Sequence, residues 1–248
     1  SSFHLLLFIN PFVTADTLKL SAMKQCELII TYYMNQLDIL YRTFSMSSQL
    51  IKESDDLRLL ADKSNDSSVY REKEYYRKAI YYIREKLSNT EKYLLNNVDN
   101  DEKYLTAEEL EQDLLIIKNS LLENNGDTLI KGDLEELLSA VKIFGFYLAS
   151  IDMRQDSSVY EACVAELLKS ANIENNYSEL SENEKCDLLL NILKKDPRPL
   201  SINDENKQSE ELKKELLIFK TARELKDKLG NNIINHIFHF LIAHYNYF

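Results

Sequence analysis

Hydrophobic residues recur at helical spacing along most of this 248-residue chain. In the longest run they are three or four residues apart, which places them on one side of a helix. The members of that run are Leu18, Ala22, Cys26, Ile29, Tyr33, Leu37, Leu40 and Phe44. Shorter stripes predict further helices: Tyr76, Ile80, Ile83 and Leu87; Leu110, Leu114, Ile117 and Leu121; Cys186, Leu189 and Leu193; and Leu212, Leu216, Phe219, Ala222, Leu225 and Leu229. The pattern therefore predicts a mostly α-helical protein.

Capping signals place the ends of several of these helices. A Ser or Thr followed three residues later by Glu forms a capping box, in which each side chain satisfies a backbone N–H of the first turn. Such boxes begin at Thr106, Ser158 and Ser181. Gly230 follows the last stripe and predicts a left-handed C-terminal cap. The chain has only 4 Gly and 3 Pro, which also favours long helices with few tight turns.

One segment departs from the helical pattern. From Ile151 to Arg154, apolar and polar residues alternate, so that Ile151 and Met153 face one way and Asp152 and Arg154 the other. This period of two is typical of a β-strand, and we predict one short strand near residues 147–154. Because a lone strand leaves its backbone edges unpaired, it must pair with further strands, which this sequence does not obviously contain.

Composition narrows the function classes. The net charge is −11, with 41 acidic against 30 basic residues, which argues against a nucleic-acid partner because binding to phosphates requires Lys and Arg. The three Cys are widely spaced and predict no disulfide framework, so we expect a cytoplasmic protein. Cys26 and Cys186 are expected to be small core residues. The apolar stretch Ile233 to Phe248 is shorter than a membrane span, so no membrane partner is expected.

Four segments carry a resemblance to a known family. They are NPFVTADT (Asn10 to Thr17), EYYRKAIYYIREKL (Glu74 to Leu87), FGFYLASIDMRQDS (Phe144 to Ser157) and DPRPLS (Asp196 to Ser201). In order and spacing they resemble phosphoenolpyruvate carboxylase, over about Asn10 to Gly230. We therefore expect a family-like helical region at residues 10–231, between a non-matching apolar N-terminus at 1–9 and a mostly non-matching apolar tail at 232–248. A truncated or frameshifted reading frame would produce such ends, and so would a divergent family member.

The resemblance implies a fold and a reaction. The fold would be a helical segment of an α-rich (β/α)8 barrel, with the strand near 147–154 belonging to that barrel. The complete enzyme would be a cytoplasmic, homotetrameric lyase that joins bicarbonate to phosphoenolpyruvate, giving oxaloacetate and phosphate for the tricarboxylic acid cycle. It would require Mg2+ or Mn2+. The family's catalytic His lies upstream of this segment, and its metal carboxylates and catalytic Lys lie downstream. We therefore expect no catalytic residue and no bound metal here.

Arg154 is the site residue that the resemblance implies. The Arg of the family's RQ-[ED]-S motif is a phosphate-binding residue, and a guanidinium offers two parallel N–H donors to phosphate oxygens. The alternative is a structural ion pair of Arg154 with Asp152 or Asp156. We interpret Gln155 and Asp156 as residues that orient their neighbour.

Two functions remain open from the sequence. In the first, the chain is a fragment of the carboxylase that is inactive on its own and self-associates through exposed helix faces. In the second, it is a non-catalytic helical interaction module that reuses the scaffold.

Overall fold

A computed structural model of the chain describes residues 14–100, 102–195 and 208–240. The N-terminal residues 1–9, the whole DPRPLS segment (196–201) and the end of the tail lie outside the described residues. The structure is 70% helical, which confirms the mostly α prediction. The α-helices are α1 (Ala15–Thr43), α2 (Asp55–Ala61), α3 (Tyr75–Asn96), α4 (Ala107–Glu123), α5 (Asp127–Ile130), α6 (Asp133–Phe144), α7 (Ser157–Ser170), α8 (Glu182–Lys195) and α9 (Glu210–Leu229). Short 3-10 helices lie at Val69–Arg71, Tyr177–Glu179 and Asn231–Ile233.

Two short strands complete the described elements. Strand β1 spans Met153–Asp156 and β2 spans Ile237–Phe240. The predicted strand is therefore present, but it begins later than residue 147, and residues 147–149 are bends. The sequence does contain a partner strand that its pattern did not reveal, because β1 pairs in parallel with β2. The partner was missed because it lies in the apolar tail, more than eighty residues away.

The chain divides into two compact units. The helical unit comprises Leu20–Ser150 and Leu225–Ile233. The strand unit comprises Ile151–Glu224 with the described residues of Ser1–Lys19 and Ile234–Phe248. Strand β1, strand β2, α7 and α8 belong to the strand unit.

The core of the helical unit follows the predicted stripes. Every member of the α1 stripe from Leu18 to Phe44 is buried, as are the stripes of α3 and α4. Helices α2, α3 and α4 pack against one another, and α6 packs on α4. Polar contacts stabilise this packing, since the Ser120 hydroxyl lies 2.9 Å from the Tyr76 hydroxyl and accepts a hydrogen bond from the Ser54 N–H at 3.0 Å. Tyr33 donates from α1 to the carbonyls of Ala140 and Gly145.

The predicted stripes of the last two helices need correction. On α8, Cys186 and Leu193 are exposed, so Cys186 is not a core residue. On α9, Leu216 and Phe219 are each 38% exposed, whereas Glu215 and Ile218 are buried. The buried face of α9 is therefore rotated by about one residue, because apolar residues occupy both sides of this part of the helix.

Two of the three capping boxes also differ from prediction. At Ser181 the box is present, since the Glu184 carboxylate accepts from the Ser181 N–H at 2.8 Å and the Ser181 hydroxyl accepts from the Glu184 N–H at 3.5 Å. At Thr106 the side chain makes no cap, and Glu109 instead accepts from the Leu105 N–H. Helix α7 is capped by Asp156 rather than by Ser158. Gly230 ends α9 with φ +97°, as predicted.

Candidate functional site at the end of strand β1

Arg154 is the second residue of the four-residue strand β1. In the parallel pair, its Cα is aligned with that of Phe238 on β2. The chain passes directly from the end of β1 at Asp156 into helix α7 at Ser157. Arg154 therefore lies two residues before the strand-to-helix junction that marks the carboxyl end of the parallel pair. Ligands of α/β proteins characteristically bind at this end of parallel strands.

Burial along the strand follows the predicted alternation. Ile151 is 5% exposed and Met153 is 4% exposed, whereas Asp152 and Arg154 are half-buried. The two apolar side chains therefore anchor the strand in the core. The Arg154 side chain lies on the face that retains access to solvent, as a residue that contacts a dissolved anion requires.

The start of β1 is held by the segment that leads into β2. The Met153 N–H donates to the His236 carbonyl at 3.0 Å. The His236 side chain also approaches Asp152, with 3.3 Å between Nδ1 and Oδ1. Asp152, one of the acids considered as an ion-pair partner of Arg154, therefore contacts the His236 imidazole.

The end of β1 is held by the first turn of α7. The Asp156 carboxylate accepts hydrogen bonds from the Ser158 N–H and the Ser158 hydroxyl, each at 2.9 Å. A carboxylate at this position satisfies an otherwise unpaired N–H and interacts favourably with the positive end of the helix dipole. Asp156, the second acid considered beside Arg154, therefore caps α7.

Gln155 connects β1 to helix α9. Its amide nitrogen donates to the Glu215 carboxylate at 2.6 Å, and its carbonyl oxygen accepts from the Asp156 N–H at 2.9 Å. Glu215 is only 6% exposed, which is unusual for an acidic residue. Both the nitrogen and the oxygen of the Gln155 amide are thus hydrogen-bonded.

Glu215 also affects the titration of groups on α7. Burial raises the pKa of the Cys163 thiol to about 11, and the nearby Glu215 carboxylate contributes to the increase. Burial and the same carboxylate raise the pKa of Tyr160 to about 12. The Tyr160 ring packs against Phe219 of α9, with 5.8 Å between the ring centroids. Burial and the Glu215 carboxylate therefore both favour the protonated forms of Cys163 and Tyr160.

The described residues do not form a metal centre. Across residues 14–100, 102–195 and 208–240, no group of three or more His, Cys, Asp and Glu side chains is arranged to hold a metal ion. In the same ranges, no helix combines the length and the apolar character needed to cross a membrane. What the site offers chemically is a half-buried guanidinium near a strand end, and guanidinium groups are suited to binding oxyanions.

Sequence reasoning located Arg154 and Gln155 but missed Glu215 and His236. Glu215 could have been recognised from the sequence, because it lies three residues from both Leu212 and Ile218 and so shares their side of the helix. An acid on an apolar stripe implies a buried hydrogen-bond partner. No comparable sequence feature points to His236, since its contact with Asp152 depends on the long-range pairing of β1 and β2.

Comparison with protein families identifies the class of protein. Residues 9–244 match the family model described as phosphoenolpyruvate carboxylase. The match runs through β1, α7, α9 and β2, and it continues beyond Gly230, where the recognised motifs end. The chain therefore belongs to the phosphoenolpyruvate carboxylase family.

Proposed function

We propose that this chain is part of an enzyme that carboxylates phosphoenolpyruvate with bicarbonate to give oxaloacetate and phosphate. The observation that carries the proposal is the family match over residues 9–244. It is supported by the position of the RQ-[ED]-S motif, which forms β1 and the junction to α7.

In this function Arg154 binds the phosphate group of phosphoenolpyruvate. The half-buried guanidinium lies close to the carboxyl end of β1. A planar guanidinium can donate two parallel hydrogen bonds to phosphate oxygens and remains charged at any physiological pH. Bicarbonate attacks the phosphorus and the P–O bond to the enol oxygen breaks, which gives carboxyphosphate and the enolate of pyruvate. A preorganised cation stabilises the negative charge that the phosphoryl oxygens carry during this transfer.

Strands β1 and β2 would be two strands of the enzyme's (β/α)8 barrel. Their parallel pairing with intervening helices is the arrangement from which such barrels are built. The remaining barrel strands and the residues that complete the active site would lie elsewhere in the whole protein.

The family's divalent metal, Mg2+ or Mn2+, would polarise the enolate and phosphate oxygens. The described residues do not form a group that could hold it, and the family resemblance implies that its ligands lie downstream of this segment. The catalytic His and Lys of the family are placed outside it as well, which leaves Arg154 as the substrate-binding contribution of this chain. In the cell, the complete enzyme would be a cytoplasmic homotetramer.

The chain alone would be inactive and would self-associate. One Arg–phosphate contact in water contributes about 1 kcal/mol or less, whereas micromolar binding requires about 8 kcal/mol. Several large apolar side chains are exposed, among them Leu190 at 49%, Leu193 at 78% and Leu217 at 53%. Such side chains favour association when the surfaces that would cover them are missing.

The test compares the isolated 248-residue chain with the complete protein that contains it. Oxaloacetate formation is coupled to malate dehydrogenase, and particle size is measured by light scattering. We expect turnover that depends on bicarbonate from the complete protein, and associated, inactive material from the chain alone. A monomeric chain combined with an inactive complete protein would instead support the non-catalytic helical module. Oxaloacetate production by a monomeric chain would contradict the proposed division of the active site.

A further inference from the structure

Glu215 is a buried acid without a role in the chemistry described above. It lies in the middle of α9, on the buried face that also contains Leu212 and Ile218. Burying a carboxylate on such a face has a large desolvation free energy, which strong hydrogen bonds must offset. The described partner is the Gln155 amide of β1, at 2.6 Å.

The orientation of the Gln155 amide follows from its two partners. The Asp156 N–H can only donate, so the Gln155 carbonyl oxygen must face it at 2.9 Å. The amide nitrogen then points to Glu215 and donates to its carboxylate oxygen at 2.6 Å. A flipped amide would place donor against donor and acceptor against acceptor. Glu215 therefore selects a single orientation of Gln155.

That orientation fixes the backbone at the end of β1. Gln155 holds the Asp156 N–H, and the Asp156 carboxylate in turn caps α7 through Ser158. The resulting chain of hydrogen bonds leads from α9 through the strand end to the first turn of α7. Arg154 is adjacent to Gln155, so the direction of its Cα–Cβ bond depends on the same backbone.

From this geometry we infer that Glu215 is a positioning residue, which holds Gln155 and the end of β1 so that Arg154 presents its guanidinium to an oxyanion. The functional part of the inference rests on the proposed phosphate-binding role of Arg154. Its structural part, the control of the strand end by Glu215, stands independently of that role.

The variants separate the hydrogen bond from the bulk and charge of the side chain. Glu215→Gln retains an oxygen acceptor for the Gln155 amide, whereas Glu215→Leu removes it at similar volume. Ile218→Val is the matched control, because it alters a buried residue of the same helix and leaves the Glu215–Gln155 contact in place.

The structural part is measured on the 248-residue chain by hydrogen exchange. Mass spectrometry of peptides covering residues 150–160 reports on the Asp156 and Ser158 N–H groups. We expect Glu215→Leu to accelerate exchange in these peptides by roughly tenfold, the scale of one lost charge-assisted hydrogen bond. Glu215→Gln and Ile218→Val should remain close to the parent chain. Unchanged exchange in Glu215→Leu would overturn the inference.

The functional part is measured on the complete enzyme. Glu215→Leu should raise KM for phosphoenolpyruvate by roughly tenfold with a smaller effect on kcat. In Glu215→Gln, which keeps an acceptor for Gln155, KM should lie close to that of the parent enzyme. In an Arg154→Ala background, Glu215→Leu should have little further effect on KM, because the residue that it positions is gone. Full additivity of the two substitutions would overturn the positioning role.

The two proposals fail differently. If Arg154→Ala impairs the enzyme and Glu215→Leu does not, the inference about Glu215 is overturned while the role of Arg154 stands. If Arg154→Ala has normal kinetics, the proposed phosphate-binding role is overturned, together with the functional part of the inference.

Discussion

The Tyr33 hydroxyl is the clearest single contact by which to test the packing of the helical unit. Tyr33 is fully buried on α1, and its hydroxyl lies 2.8 Å from the Gly145 carbonyl and 3.1 Å from the Ala140 carbonyl. It therefore ties α1 to the end of α6. Gly145 has φ +57°, so the turn that receives this hydrogen bond is one that few residues other than glycine adopt readily.

We predict that Tyr33→Phe lowers the free energy of unfolding by about 1–2 kcal/mol. The substitution keeps the ring and removes only the hydroxyl, so the loss consists of the hydrogen bond plus the desolvation of carbonyls left without their donor. For a protein of this size the melting temperature should fall by about 2–8 °C. Thermal unfolding followed by circular dichroism at 222 nm measures it.

Tyr32→Phe provides the matched control. Tyr32 is the adjacent residue on the same helix and is 37% exposed. Its ring contacts that of Tyr33 edge-on, with centroids 5.9 Å apart, and phenylalanine preserves this contact. The control should change stability by less than about 0.5 kcal/mol. Equal effects of the two substitutions, or no effect of Tyr33→Phe, would refute the packing that we describe between α1 and α6.

Two further predictions concern the fold. Burial raises the pKa of Cys26 to about 12 and that of Cys163 to about 11, so the unfolded chain releases these thiol protons at lower pH than the folded chain does. The free energy of unfolding should therefore be retained below about pH 9 and decline as pH rises towards 12. Cys26→Ala should make this decline shallower, as measured by urea titrations at several pH values. The same dependence of stability on pH in the variant and the parent chain would contradict the raised pKa of Cys26. Gly126→Ala should lower stability by about 1–3 kcal/mol, because a Cβ there would lie 2.9 Å from the Leu121 carbonyl oxygen. A melting temperature equal to that of the parent chain would show that this turn relaxes freely.

The sequence predicted local structure well wherever one face of a helix is apolar and the other polar. The stripe from Leu18 to Phe44 is buried throughout, because α1 offers one apolar face and the helical period determines its members. The same reasoning failed on α9, where Leu216 and Phe219 lie outside the buried face and Glu215 lies within it. Burial on this part of α9 follows tertiary contacts such as the Glu215–Gln155 hydrogen bond, which local periodicity does not contain.

The candidate site shows the same division. Arg154 and the alternation around it were recognisable, because a motif and a period of two are local features of the chain. The partner strand β2 was not, since parallel pairing joins segments that are distant in sequence. The capping residue of α7 was misassigned by two positions, because Asp156 and Ser158 are both good caps and only the path of the strand decides between them.

The central claim is that Arg154 binds the phosphate of phosphoenolpyruvate, and steady-state kinetics of Arg154 variants in the complete enzyme test it most directly. Arg154→Ala should lower kcat/KM for phosphoenolpyruvate roughly 30- to 900-fold, which corresponds to a loss of about 2–4 kcal/mol in transition-state stabilisation. Arg154→Lys should restore only part, because one ammonium cannot reproduce the planar pair of donors.

The control for this measurement is Arg84→Ala. It removes a guanidinium of the helical unit that pairs with Asp38 at 2.6 Å and is 39% exposed. We expect Arg84→Ala to have normal kinetics. Both Arg154 variants should bind phosphoenolpyruvate more weakly than the parent enzyme does, and Arg154→Ala should lose more affinity than Arg154→Lys. Normal kinetics for both Arg154 variants would contradict the account.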